Sequence, residues 1–188
     1  MNANQISDYV ISLTQNNIEE NLTNLKLQKI LYYLQGYYLA IYNEKLFDDE
    51  IESWRYGPVV SEVYHAYKSY GNYPIVLPDV EMNFDYLSSS QKKFINKVYA
   101  YFRQFSAIKL MDMTHDELPW KTTYGKGIPI PEELLCDFFR KSEIKDHFIF
   151  SDKKKERKDA AQFLLADYIH DTNLIESTIL DAEDIYEY

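Results

Sequence analysis

Leu25-Lys26-Leu27-Gln28-Lys29-Ile30-Leu31-Tyr32-Tyr33-Leu34-Gln35-Gly36 is the stretch whose reading decides the fold. Leu27, Ile30, Leu31, Leu34 and Tyr38 fall on one stripe of a helix. Leu25, Tyr32, Leu39 and Tyr42 widen that stripe until much of the circumference is apolar. A helix that is apolar on most sides has to be surrounded, so this segment is predicted to be the central buried helix. Thr23 or Asn24 supplies the side-chain oxygen that its first free N–H groups need.

The segments on either side read as shorter elements packed around that axis. Upstream, Ile6, Tyr9, Val10 and Leu13 give an amphipathic helix over residues 4–15. Downstream, Leu46 to Tyr56 has an acidic, turn-like middle at Asp48-Asp49-Glu50. Two-residue alternation follows, with Trp54 and Tyr56 on one side, which predicts a small hairpin near Phe47 to Tyr56. Gly57-Pro58 is expected to end it and to start a helix over residues 59–70, with Val60, Val63, Tyr64 and Tyr67 inward and Gly71 just beyond its end. Pro74, Pro78 and the turn formers around them predict a loop of about fifteen residues.

Ser88 and Gln91 have capping-box spacing ahead of Phe94, Val98, Tyr101 and Phe105, which predicts another helix. A shorter helix follows Ser106 over residues 107–114, and a polar loop through His115 and Trp120 to Gly127 comes after it. Pro131 opens a helix with Leu134, Leu135, Phe138 and Phe139 inward. Lys153 begins one last helical pattern, and from Asp171 to the end there are acidic residues but no Lys or Arg, as in a solvated tail. The fold class predicted is mainly α: about six to seven helices with a small β-hairpin over residues 1–145, then a C-terminal helical extension and acidic tail over 146–188.

Composition narrows the function. The 188 residues carry 20 Lys+Arg against 30 Asp+Glu, a formal charge of −10, which repels a phosphate backbone and makes nucleic acid an unexpected partner. No apolar run approaches the roughly 20 residues of a bilayer-spanning helix, and the first residues lack a basic and then apolar leader. With Cys136 as the single cysteine, a cytoplasmic protein without membrane contact is expected. The 18 tyrosines suit a core and a protein interface equally.

Reaction chemistry finds no foothold. Gly125-Lys126-Gly127 lacks the spacing of a phosphate loop, and His65, His115, His147 and His170 show no ligand spacing. His115-Asp116-Glu117 reads as polar loop, Cys136 as a buried structural thiol, and Asp48-Asp49-Glu50 as turn. No catalytic residue, metal or cofactor is expected, and the chain is not expected to be an enzyme.

Three segments together resemble the Panacea, or SocA-like, antitoxin domain. Leu25 to Gly36 is similar to its LKLQKLLY helix. Leu46-Phe47 followed by Ile51-Glu52-Ser53-Trp54-Arg55-Tyr56-Gly57-Pro58-Val59-Val60 is similar to its LF…IEAWxYGPV element, with Ser53 in place of the usual Ala. Leu118-Pro119-Trp120, with Ile130 and the Phe138-Phe139 helix end, is similar to its PW…I…YF finish. The resemblance covers about residues 5–140. It implies an antitoxin, often carried on a prophage or mobile element, that neutralises a cognate protein toxin by direct binding and in some relatives delivers it to a protease. The alternative, from another class, is a prophage-encoded acidic inhibitor or nucleic-acid mimic that blocks a nuclease or defence protein. Candidate partner-binding residues are Lys26, Gln28, Lys29 and Tyr32 on the central helix, Trp54, Tyr56, Gly57 and Pro58 at the hairpin, and Tyr64, Tyr67 and Trp120. The alternative for these is plain helix surface at Lys26 to Lys29 and core packing around a tight turn at Trp54 to Pro58.

Overall fold

A computed structural model describes residues 1–14, 22–76 and 82–149. The predicted helix after Lys153 and the acidic tail lie outside the described residues. In chain order the elements are α1 (Ala3–Ser12), α2 (Asn24–Tyr42), β1 (Glu52–Trp54), β2 (Gly57–Val59), α3 (Ser61–Tyr67) running into a 3₁₀ turn at Lys68–Tyr70, α4 (Ser89–Phe102), α5 (Ala107–Asp116), α6 (Leu118–Thr123), α7 (Glu132–Arg140) and α8 (Lys145–Phe148). The fold is mainly helical with one two-stranded antiparallel hairpin.

α2 is the axis. All the other helices except α6, and strand β2, pack against it, α7 most extensively. Thr23 caps it, its hydroxyl accepting from the Lys26 N–H. Leu27, Ile30, Leu31 and Leu34 are fully buried, as are Tyr32 and Tyr33, so apolar surface on nearly every side has been covered. An aromatic layer joins α2 to its neighbours. The Tyr33 ring stacks on Phe102 of α4 at 3.9 Å, and Tyr37 meets Phe139 of α7 edge-on at 4.7 Å and Phe148 of α8 at 4.6 Å. Gly36 lets α7 come this close, because a Cβ there would sit 2.1 Å from Phe139 Cε2. The capping box at Ser88 and Gln91 forms as predicted, and Ser106 caps α5.

Three boundaries differ from the sequence expectation. Gly57-Pro58 does not end the hairpin but begins β2: Glu52 pairs with Val59, Ser53 with Pro58 and Trp54 with Gly57 around the turn Arg55-Tyr56. In a two-residue hairpin the pair next to the turn exchanges ladder bonds and the following pair does not. Pro58 occupies that second pair, where its missing N–H costs no ladder bond. The stretch after His115 is not a loop either. Glu117 ends α5 and opens α6, whose second residue, Pro119, sits where an N–H has no helical partner to lose. Pro131 lies at the N-cap rather than in the first turn of α7, and Leu134 and Phe138 are only half-buried while Leu135, Cys136 and Phe139 face inward.

The polar residues of α2 are spent on backbone groups of the elements around it. Lys29, fully buried, donates from Nζ to the Pro58 carbonyl at 2.8 Å. Gln28 Oε1 accepts the Val60 N–H at 2.9 Å, and Gln35 accepts from Leu46 and Phe47 N–H while donating to the Phe47 carbonyl. Lys26 donates to the Arg103 carbonyl at 2.6 Å. On the other strand the Ile51 carbonyl accepts from Ile130 N–H at 2.7 Å. Gly57, at φ +96°, is required twice over: L side chains rarely adopt that angle, and a Cβ would lie 2.7 Å from Thr114 Oγ1 and 2.8 Å from Lys29 Nζ.

One turn beyond Lys29, the Tyr32 and Tyr33 hydroxyls donate to the two carboxylate oxygens of Glu117 at 2.7 and 3.0 Å. Burial raises the Glu117 carboxyl from 4.5 to about 7, with Asp116 adding to the rise and the two tyrosine bonds opposing it. Burial lowers the Lys29 ammonium from 10.5 to about 7.

Two predictions arise from this packing. Gly36→Ala should destabilise the fold by about 1–3 kcal/mol by overpacking against Phe139. In denaturant titrations the double variant with Phe139→Leu should lose less than the sum of the two single losses. The second concerns pH. Between about 4.5 and 7 the folded chain holds a proton on Glu117 that the unfolded chain has released, so this group's contribution to stability falls as pH rises through that window. Glu117→Gln removes the titration. The difference in unfolding free energy between wild type and variant should therefore slope by roughly 2–3 kcal/mol between pH 4.5 and 7, at 1.36 kcal/mol per pKa unit, and a flat difference would refute the assignment.

Candidate functional site

The hairpin presents its turn to solvent. Tyr56 at the tip is 57% exposed, and Arg55 beside it is exposed with its guanidinium 5.5 Å from the Tyr56 ring centroid. Trp54 is half-buried. Its indole N–H donates to Glu52 at 2.7 Å and its ring meets Tyr64 of α3 edge-on at 4.9 Å. Trp120 of α6 donates its indole N–H to the Trp54 carbonyl at 2.9 Å and lies stacked between His115 and Tyr124 at 4.0 and 4.5 Å. The aromatic groups of the hairpin and α6 are thus linked at one backbone carbonyl.

A groove of about 640 Å³ opens between the hairpin, α3 and α5. Trp54, Tyr56 and Tyr64 line it from the hairpin and α3, and Ile108, 58% exposed, and Met111 line it from α5. Arg55 and Lys68 also line it, and no carboxylate of the described residues does. The groove thus brings large apolar side chains from three elements to one opening, with Tyr56 and Ile108 more than half exposed at its rim.

The eleven candidate residues divide between this face and the interior. Trp54, Tyr56 and Tyr64 line the groove, with Trp120 adjoining through the Trp54 carbonyl. Tyr67 is turned toward α1, its hydroxyl donating to Asp8. Lys26, Gln28, Lys29, Tyr32, Gly57 and Pro58 are buried: Lys29 and Gln28 bond Pro58 and Val60 from behind the hairpin, Gln28 also reaching the floor of the groove, while Lys26 bonds the Arg103 carbonyl and Tyr32 bonds Glu117. Charge and amide made Lys26 to Lys29 look like surface. They are inside because the hairpin, for Lys29 and Gln28, and the end of α4, for Lys26, offer carbonyl and N–H groups that need partners.

Sequence reasoning missed Arg55, Lys68, Ile108 and Met111. Ile108 and Met111 stand three apart on a short helix, a spacing that was there to be read, but nothing in one sequence says that their side of the helix stays open. It also missed Glu117, whose role emerges only when α6 brings it to α2.

Lys29 and Glu117 titrate near neutrality, as acid–base catalysts do, yet neither lines the groove, and each is engaged by structural partners. Cys136 is buried, its thiol 3.6 Å from the Leu39 carbonyl. Among the described residues no group of three His, Cys, Asp or Glu side chains could hold a metal ion, and no helix is long and apolar enough to cross a membrane.

The chain is 26% identical over 140 residues to "Antitoxin SocA" of Caulobacter vibrioides (strain NA1000 / CB15N), a match covering 65% of this chain and 74% of that protein. No solved structure matches. The family model described as "Antitoxin SocA-like, Panacea domain" matches residues 27–121, half of the chain, which takes in Lys29, the whole hairpin, α5 and Trp120. The chain therefore belongs to the SocA-like antitoxin family with a Panacea domain.

Proposed function

We propose that the chain neutralises a cognate protein toxin by direct, stoichiometric contact, with the hairpin tip, Trp54, Tyr64 and Trp120 forming the contact face. The observation that carries this reading is the exposed Tyr56 at the tip of a turn locked from behind by Lys29 and Gly57. A large ring whose backbone is already fixed loses little further freedom when a partner covers it, and Tyr and Trp dominate binding energy at such contacts. Family membership and the name of the Caulobacter relative supply the class of partner. The site of action is the cytoplasm. The extension over residues 146–188 is an accessory to the domain at 1–145.

The competing picture of an acidic nucleic-acid mimic draws on the formal charge of −10. Among the described residues, however, the open apolar face is lined by Arg55 and Lys68 and by no carboxylate, which does not imitate a phosphate chain.

The test is co-expression with the product of the neighbouring gene. That product should arrest growth when alone and co-purify with this chain in a harmless complex. A toxin level that stays constant on co-expression means masking, and a falling level means delivery to a protease. Tyr56→Ala should weaken binding by about 30-fold, the effect of a hot-spot aromatic, with the unfolding free energy changed by less than about 0.5 kcal/mol. Full neutralisation by Tyr56→Ala combined with Tyr124→Ala would remove this face from the mechanism.

A further inference from the structure

We infer that the groove between hairpin, α3 and α5 receives an amphipathic helix of the toxin, which inserts one or two bulky apolar side chains and places Asp or Glu residues against Arg55 and Lys68. This inference deepens the antitoxin reading and rests on it.

Charge complementarity gives the first argument. In a chain of formal charge −10, the groove is lined among the described residues by two cations and no anion. Neither Arg55 nor Lys68 is paired with a carboxylate among the described residues; the guanidinium lies instead by the Tyr56 ring. Cations next to apolar walls recognise a segment that alternates apolar and acidic side chains, and they disfavour a basic one.

The state of the sheet edge gives the second. A peptide can be captured as an added strand only where an edge offers free N–H and C=O groups. On β2 that edge is already used: Pro58 has no N–H, its carbonyl is taken by Lys29, and the Val60 N–H is taken by Gln28. Recognition here runs through side chains rather than a backbone ladder, and of the recurring modes a helix laid in a groove meets that condition.

Size gives the third. A groove of about 640 Å³ takes a few side chains, not a domain. Tyr56 and Ile108, more than half exposed, remain to be covered by whatever runs across the opening. A helix supplies both, with anchors three or four residues apart entering the groove and the flanking turns lying over those two side chains.

The full-length chain and the co-purified neighbouring gene product provide the test. Ile108→Glu and Met111→Glu should each weaken the complex by about 30-fold or more. Arg55→Glu combined with Lys68→Glu should weaken it by about tenfold and flatten its salt dependence, since the lost pairs are the screened ones. Because Ile108, Arg55 and Lys68 are exposed, the variants at these positions should keep the wild-type melting temperature. A photo-crosslinking residue at position 108 should capture a toxin helix bearing a bulky apolar residue with Asp or Glu within one turn. If the wild-type chain binds and neutralises the toxin while all the groove variants bind within threefold of it, the groove inference is wrong and the antitoxin reading stands. Crosslinking to a second copy of this chain, or to a toxin segment without carboxylates, also overturns the groove inference. If the wild-type chain neither binds nor neutralises the neighbour, the antitoxin reading itself falls.

Discussion

The bond from Lys29 Nζ to the Pro58 carbonyl is the contact on which the rest of this face depends. An ammonium in the middle of an apolar helix is expensive, and the chain keeps it because the hairpin's outward carbonyl would otherwise be buried without a partner. Three residues have to agree for it to form. Pro58 must sit at the pair that makes no ladder bond, Gly57 must bring the strand within reach of the helix without a Cβ, and Thr114 must pack into the same space beside the lysine. Gln28 repeats the arrangement one residue earlier on α2 with the Val60 N–H, so β2 is fastened to the central helix by two side chains that share no partner. The burial that pulls the Lys29 ammonium down to about 7 is the same burial that makes its bond to Pro58 exclusive of water.

Much of the helical frame was legible because it rests on local signals. The α2 stripe, the Ser88 and Gln91 capping box and the Ser106 cap are patterns that a few neighbouring residues complete among themselves. What could not be read is what depends on distant partners. Lys26, Gln28 and Lys29 have the composition of solvated helix surface, and only the hairpin over Gln28 and Lys29 and the end of α4 over Lys26 turn them into interior donors and acceptors. Gly57-Pro58 looks like a strand terminator by the usual reading of proline. It continues the strand here because a two-residue turn puts proline at the position where its missing N–H is not needed. Glu117 looked like loop because its neighbours are polar, and its position becomes intelligible only when Tyr32 and Tyr33 meet it from α2.

The aromatic residues of the candidate face were legible as types and not as places. Trp54, Tyr56, Tyr64 and Trp120 stood out as large rings near Gly and Pro, a setting as common in cores as at interfaces. The structure puts Trp54, Tyr64 and Trp120 halfway, each half-buried with a ring or an indole N–H fixed by a neighbour, and leaves Tyr56 out. That gradation is what separates a binding face from a core layer. The Tyr33, Phe102 and Phe139 cluster one turn further along α2 has no such open member.

Within the four residues Trp54-Arg55-Tyr56-Gly57 the turn divides its duties cleanly. Gly57 answers to the inside: its angle and its missing Cβ are set by Lys29 and Thr114, and no other residue fits. Arg55 and Tyr56 answer to the outside, touching solvent and each other. Trp54 joins the two, because its carbonyl serves Trp120 while its ring walls the groove. The scaffold is therefore over-determined at one end of the turn and nearly unconstrained at the other. Substitutions at Arg55 and Tyr56 can change what the turn presents to solvent without loosening what holds it, whereas any side chain at position 57 must first displace the buried lysine that anchors the strand.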